Sequence, residues 1–198
     1  MYRARTPTWY AMLVLATLLV TRTAAANPYV PAQPPDPVLR ELLRKAMHEK
    51  NGFNDRYDAE VWLLDMSNRL RPFVPNDAER LKLLRLVHYE ATRVHLPPEL
   101  VLAVINVESD FHRFAISEAG AEGLMQVMPF WLKEIGEPGA NLFDTHTNLR
   151  IGCTILRYYM DQAHGNITQA LQLYNGSNGN TRYSTRVFIR LSERWFRQ

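Results

Sequence analysis

Cysteine is almost missing: the 198-residue chain has one, Cys153. A lone thiol excludes an intrachain disulfide framework, a multi-cysteine zinc site and an iron–sulfur cluster of the usual kind. The 6 histidines form neither an H-x-x-H nor an H-E-x-x-H pair, and no glycine-rich phosphate loop occurs, so neither a metal nor a cofactor is expected. No stretch alternates with period two and no segment repeats, which speaks against strands and against a repeat architecture. Acidic residues are absent from the first 26 positions, which hold Arg3, Arg5 and Arg22. With those three set aside, the 23 basic side chains become 20, against 20 acidic ones. The formal excess of +3 therefore belongs to one end, and a broad basic surface for nucleic acid loses its support.

That end has the three parts of a secretory signal peptide. Arg3 and Arg5 precede an uncharged apolar run, Tyr10 to Val20, and the small residues Ala24-Ala25-Ala26 follow it. As a helix the run rises only about 16 Å, roughly half the hydrocarbon thickness of a bilayer, so no stable membrane span is expected after cleavage. Cleavage is placed after Ala26, and the mature chain is expected to work outside the cytoplasm.

Residues 27–37 hold Pro28, Pro31, Pro34, Pro35 and Pro37 and read as an extended leader. Helical signals then take over, and a mainly α, all-α domain is expected. Helices are expected over Val38–Lys50, over Tyr57–Leu70 with Val61, Leu64 and Met66 inward, and from the Asn76-Asp77 cap to about Val94. Pro97-Pro98 opens the next. Gly123–Met128 reads as a short helical turn, Pro129 as the start of a helix stopping near Gly136, and Asn148–Ala163 as a long one. Ile167–Tyr174 is short, and Tyr183–Trp195 closes the chain with Val187, Leu191 and Trp195 at intervals of four. Trp62, Trp131 and Trp195 fit core packing at this spacing better than exposed sugar platforms.

The stretch from Pro97 to Ser109 carries the first chemical hint. Leu100, Val101, Val104, Ile105 and Val107 make this helix apolar around much of its circumference, and Glu108 sits at its C-terminal end. A helix dipole and apolar neighbours both raise a carboxyl pKa, which suits a general acid at neutral pH. On this helix alone the plainer reading, that Glu108 simply marks where the helix meets solvent, is the favoured one. Downstream, Gly120 and Gly123 permit positive φ and close approach of another backbone or a ligand. Tyr174-Asn175 puts a phenol and an amide at a helix end.

Three motifs in this order are specific together: E-S-D-F at Glu108–Phe111, S-E-A-G-A-E-G-L-M-Q at Ser117–Gln126 and L-Y-N at Leu173–Asn175. With N-L-R-I-G at Asn148–Gly152, they closely resemble the signature of the soluble lytic transglycosylase family, over roughly residues 84–183. The resemblance implies a lysozyme-like helical domain at 84–198 with a glycan cleft, preceded by an N-terminal helical region at 38–83 that carries none of the signature. It implies a periplasmic, wall-acting enzyme on peptidoglycan glycan strands. The bond cut is the β-1,4 link between N-acetylmuramic acid and N-acetylglucosamine, and a 1,6-anhydro end is left behind. Glu108 matches the single acid/base. Tyr174 matches the tyrosine that hydrogen-bonds that carboxyl, Met125 and Gln126 match cleft-lining positions, and Ser117 and Asn175 match polar positions near the site. Gly176-Ser177 departs from the family's Y-N-A-G at the cleft edge. Two rivals stand beside this reading: a hydrolysing muramidase using a second carboxylate such as Asp110, Glu118, Glu122 or Asp144, and an inactive wall-binding scaffold.

Overall fold

Helix starts in this chain are fixed by short polar side chains. Asn76, Asp144 and Asn166 each accept the backbone N–H three residues on, and Pro98 sits at a first turn where its missing N–H costs nothing. In the computed structural model, which describes residues 36–48, 57–177 and 179–196, the helices are α1 (Pro37–His48), α2 (Tyr57–Leu70), α3 (Asp77–Arg93) and α4 (Pro98–Glu108). They continue as α5 (Phe130–Glu134), α6 (Thr145–Gln162), α7 (Ile167–Asn175) and α8 (Arg182–Arg190), the last running on into a π-helical turn over Leu191–Trp195. The signal peptide and most of the proline-rich leader lie outside the described residues.

This is the all-α, lysozyme-like class expected; pairing among the described residues outside helices is confined to the isolated bridges Ile116–Glu122 and Glu122–Val127. The centre is α4, whose Leu100 to Ile105 are all buried. α3 and α8 pack against it, the π-turn closes over its far end, and α6 and α7 form the neighbouring layer. α1 lies along α6 with Leu39, Leu43 and Ala46 buried, and α2 lies on α3 with Trp62, Met66 and Leu70 buried. The two N-terminal helices thus share one continuous core with the rest.

Three expectations shift. Leu64 does not face inward: it is 70% exposed, because the buried face of α2 follows Trp62, Met66 and Leu70 at every fourth residue. Gly123–Met128 forms no helix. Gly123 and Gln126 both take positive φ (76° and 49°), which breaks a right-handed helix twice within one turn. α6 starts at Thr145 rather than Asn148, since Asp144 is the capping residue and the Asn148 side chain is turned inward for another purpose.

Charge is also used inside. Glu90 on α3 is fully buried and receives Arg150 Nε and Nη2 at 3.0 and 2.9 Å and Arg93 Nε at 2.8 Å. Arg150 Nη1 reaches on to the Ala46 carbonyl at 3.0 Å, so the same guanidinium that neutralises Glu90 ties down the last turn of α1.

Candidate active site

Glu108 ends α4 where the chain reverses. Ser109 Oγ donates to the Leu124 carbonyl at 2.8 Å, and Asn106 Nδ2 donates to Asp110 Oδ1 at 2.6 Å. Asp110 and Phe111 then take positive φ in succession (51° and 65°), and Phe111 is locked between Phe73 and Trp195 with centroids 5.1 and 5.4 Å away. Backbone strain of this kind persists only where surrounding packing enforces it. Its result is a fixed helix end whose carboxyl faces a cleft of about 370 Å³.

The cleft wall combines one acid with polar and apolar surfaces. Glu108, Ser117, Gln126, Tyr174 and Asn175 line it together with Met128, Phe130, Trp131, Ile155 and Tyr159. Among the described residues, Glu108 is the one carboxylate on that wall. Burial pushes its pKa up from 4.5 to about 7, opposed by a hydrogen bond from Tyr183 and by the charge of Arg186. The Tyr183 hydroxyl donates to Glu108 Oε1 at 2.6 Å. Buried beside that acid, both Tyr183 and Tyr174 have phenol pKa values raised well above the ordinary one, so both remain proton donors at neutral pH.

Two of the family-matched positions differ from the roles the resemblance implied. The Tyr174 hydroxyl donates to the Met125 carbonyl at 2.7 Å, and the phenol bonded to the carboxyl is Tyr183 instead. Met125 does not line the cleft: its side chain is 0% exposed and lies beneath the floor, against Gly152, with Cys153 Sγ 3.9 Å from its sulfur. The reason is the spacing of the floor. A Cβ on Gly152 would stand 2.6 Å from Met125 Sδ, so the missing side chain of α6 is the space the thioether fills.

Asn148 explains the remaining signature. Its Oδ1 accepts the Met125 N–H at 2.8 Å, while its Nδ2 donates to the carbonyls of Glu122 and Leu142, both at 2.9 Å. One buried amide thereby satisfies three backbone groups of two loops. Gly123 must be glycine for the same reason, since a Cβ there would lie 2.4 Å from Asn148 Nδ2 and 2.5 Å from the Leu142 carbonyl. Gln126 Nε2 donates to Gly123 O at 2.9 Å, and Ser117 Oγ accepts the Ala121 N–H at 3.0 Å. Both side chains therefore shape the loop as well as border the cleft. Asn175 and Gly176 close its other edge, with Gly176 capping α7 at φ 70°. Trp131 also borders the cleft, while Trp62 and Trp195 are buried, with their indole N–H groups on Glu99 and Asn106.

Comparison with known proteins agrees with this arrangement. The family model described as the transglycosylase SLT domain matches residues 85–188, a span that holds every cleft residue named above and Tyr183. The chain belongs to that family. The SLT match starts inside α3 and ends inside α8, so α1 and α2 lie outside it although they share its core. Among relatives, a transglycosylase of Enterobacteria phage PRD1 is 31% identical over 97 residues, 49% of this chain and 36% of that protein. The membrane-bound lytic murein transglycosylase C of Yersinia pestis (strain Pestoides F) is 34% identical over 124 residues, 54% of this chain and 35% of that protein. The chain thus spans about a third of the length of these relatives.

Tyr183 is the site residue that sequence reasoning passed over. The signal was present: it extends the row Val187, Leu191, Trp195 back by four, onto the buried face of the last helix. A tyrosine hydroxyl on a buried face needs a partner, and here that partner is the acid.

Proposed function

We propose that the chain is an exported lytic transglycosylase acting on peptidoglycan glycan strands, with Glu108 as acid and then base. The observation that carries this is Glu108 as the one carboxylate among the described residues lining the cleft, poised with a pKa of about 7. A hydrolase that activates water or forms a covalent glycosyl intermediate needs a second carboxyl about 5–9.5 Å from the first. Asp110 is exposed and engaged by Asn106, and Glu118, Glu122 and Asp144 lie off the cleft wall.

Protonated Glu108 gives its proton to the glycosidic oxygen as the C1–O bond breaks. The C6 hydroxyl of the same N-acetylmuramic acid then closes onto C1, and its proton passes to the Glu108 carboxylate. Proton count is restored and no water is consumed, which leaves a 1,6-anhydro end. A single group serves both steps because its pKa lies near neutrality. Tyr183 steadies the carboxylate formed between them, and the apolar wall of Met128, Phe130 and Trp131 limits water at the reacting carbon. Ser117, Gln126 and Asn175 offer hydroxyl and amide groups to the sugar, and Tyr174 holds the floor through Met125 O. The N-terminal address and the wall substrate agree on a periplasmic site of action. No helix among the described residues is long and apolar enough to cross a membrane.

Mass spectrometry of the soluble products from purified sacculi tests the reading, with Glu108→Gln alongside. Anhydro-ended fragments are expected from the wild type and none from the variant. Reducing ends carrying an added water would replace the proposal with a hydrolytic muramidase. Binding to sacculi without products from either protein would replace it with a wall-binding scaffold.

A further inference from the structure

α1 lies outside the family match, yet it is fastened at both ends to a helix of the cleft. Just before its first residue, Asp36 accepts the Tyr158 hydroxyl of α6, and at its last turn Arg150 of α6 holds the Ala46 carbonyl at 3.0 Å. Leu39 and Leu43 are buried between those two points. α6 in turn supplies Ile155 and Tyr159 to the cleft wall, and the Tyr159 ring meets that of Tyr158 edge-on with centroids 5.3 Å apart.

From that base α1 reaches a second element of the cleft. Arg40 Nη2 lies 2.8 Å from Glu134 on α5, and the Nε of the same guanidinium is shut off from solvent. α5 has only 5 residues, little more than one turn. Trp131 and Leu132 sink its inner side into the core, while Phe130 borders the cleft and has Glu134 four residues on along the same side. Pinning Glu134 therefore fixes the rotation of α5 that presents Phe130, whose ring centroid is 4.8 Å from that of Trp131. Arg44, one turn further along α1, pairs instead with Glu41 inside its own helix.

We propose that Arg40 is a positioning residue for the glycan cleft: through Glu134 it holds the α5 wall at a set distance from the α6 wall, so that a helix outside the family's domain tunes how firmly a strand is bound. This rests on the transglycosylase reading for the choice of substrate. Half-exposed ion pairs contribute little to global stability, and Arg40 and Glu134 are 43% and 32% exposed. What this pair restricts is the freedom of a short helix, and a looser wall binds sugar less well because the strand must then order it. Glu108 is held separately, by α4 and by Tyr183 of α8, so binding rather than proton transfer is the step affected.

The test measures KM and kcat on soluble glycan strands for Arg40→Ala, Glu134→Ala and the exchange Arg40→Glu/Glu134→Arg, with melting temperatures beside them. Arg44→Ala serves as the control ion pair of the same helix. Either single loss is expected to raise KM about three- to fivefold at unchanged kcat, the range of an exposed ion pair converted to a ratio. Melting moves by no more than about 2–4 °C, as it does for Arg44→Ala, which leaves KM where it was. The exchange brings KM back to near the wild-type value. Unchanged KM in the single variants, an equal rise in Arg44→Ala, a fall in kcat alone, or an exchange no better than the singles overturns the proposal. Strand binding by the Glu108→Gln protein, with and without Arg40→Ala, keeps the test independent of turnover: the same weakening is expected, and equal binding overturns it. A wild type that binds strands without cutting them refutes the activity while this binding comparison still decides the role of Arg40; one that does neither overturns both.

Discussion

Glu108 is caught between two demands that a single pH scale exposes. Its carboxyl titrates near 4.5 in an unfolded chain and near 7 in the cleft, because burial disfavours the charge more than Tyr183 and Arg186 favour it. Between those values the folded protein holds a proton that the unfolded one has lost. The stability this represents is complete below pH 4.5 and is lost as pH rises through 7, by about 3 kcal/mol for such a shift. Glu108→Gln is therefore expected to melt higher than the wild type at pH 8 and at nearly the same temperature at pH 4, while cleavage falls by roughly 10²–10⁴-fold, as for a lost general acid. Equal melting differences at the two pH values would refute the burial argument. Tyr183→Phe removes the donor to Oε1, so the pKa of Glu108 rises further. Its pH–rate profile should keep its acid form to higher pH, with the alkaline limb displaced upward and the maximal rate lowered about tenfold. An unmoved limb would mean that Tyr183 does not act on the acid.

The element that matters most is the irregular one between α4 and α5, whose internal turns are joined to the neighbouring loop and to α6 through Asn148. Asn148→Ala leaves the Met125 N–H and the Leu142 carbonyl without a partner, while the Glu122 carbonyl keeps the Val127 N–H. A loss of roughly 3 kcal/mol or more is expected in denaturant unfolding, since each stranded buried group costs about 1–3 kcal/mol. A cost below about 1 kcal/mol would show that the loop is held by other means. The sequence contained the pieces of this element but not their assembly. Gly120 and Gly123 were legible as positive-φ positions, and both are. The short helix expected over Gly123–Met128 was wrong because hydrophobic spacing cannot register that an amide 23 to 26 residues away will take up backbone groups there. Met125 was misplaced for a related reason: whether an apolar side chain points to cleft or core depended on Gly152, a contact between distant segments.

At the scale of the molecule, α1 and α2 lie outside the family match yet are built into its core. Leu43 is fully buried against α6, and Arg150 clamps the Ala46 carbonyl while neutralising Glu90. Leu43→Ala should cost about 2–4 kcal/mol in global unfolding, with the kcat of the folded fraction unchanged. A negligible cost would mean that α1 is an appended helix rather than part of the folding unit. Residues 38–83 carried no family signature, and their placement could not be read from them alone. Their amphipathic faces announced helices in need of a partner; only the apolar side of α6 and the inward-facing Arg150 identified which partner that was.

Local chemistry and pattern settled what a chain can state about itself: helices with their caps, a mainly α class, and a lone glutamate at the end of an apolar helix among motifs of one family. Those properties depend on residues close in sequence, where a 3.6-residue period or an Asn cap acts within a few bonds. The tertiary structure decided which phenol meets Glu108, that Met125 lies under the floor, and that two helices outside the family match complete the core. Each of these rests on groups brought together from 27 to 104 residues apart, such as Glu108 with Tyr183 and Arg150 with Ala46. Contacts at that separation follow from how helices pack and which side chains fill the space between them, and no local pattern encodes them.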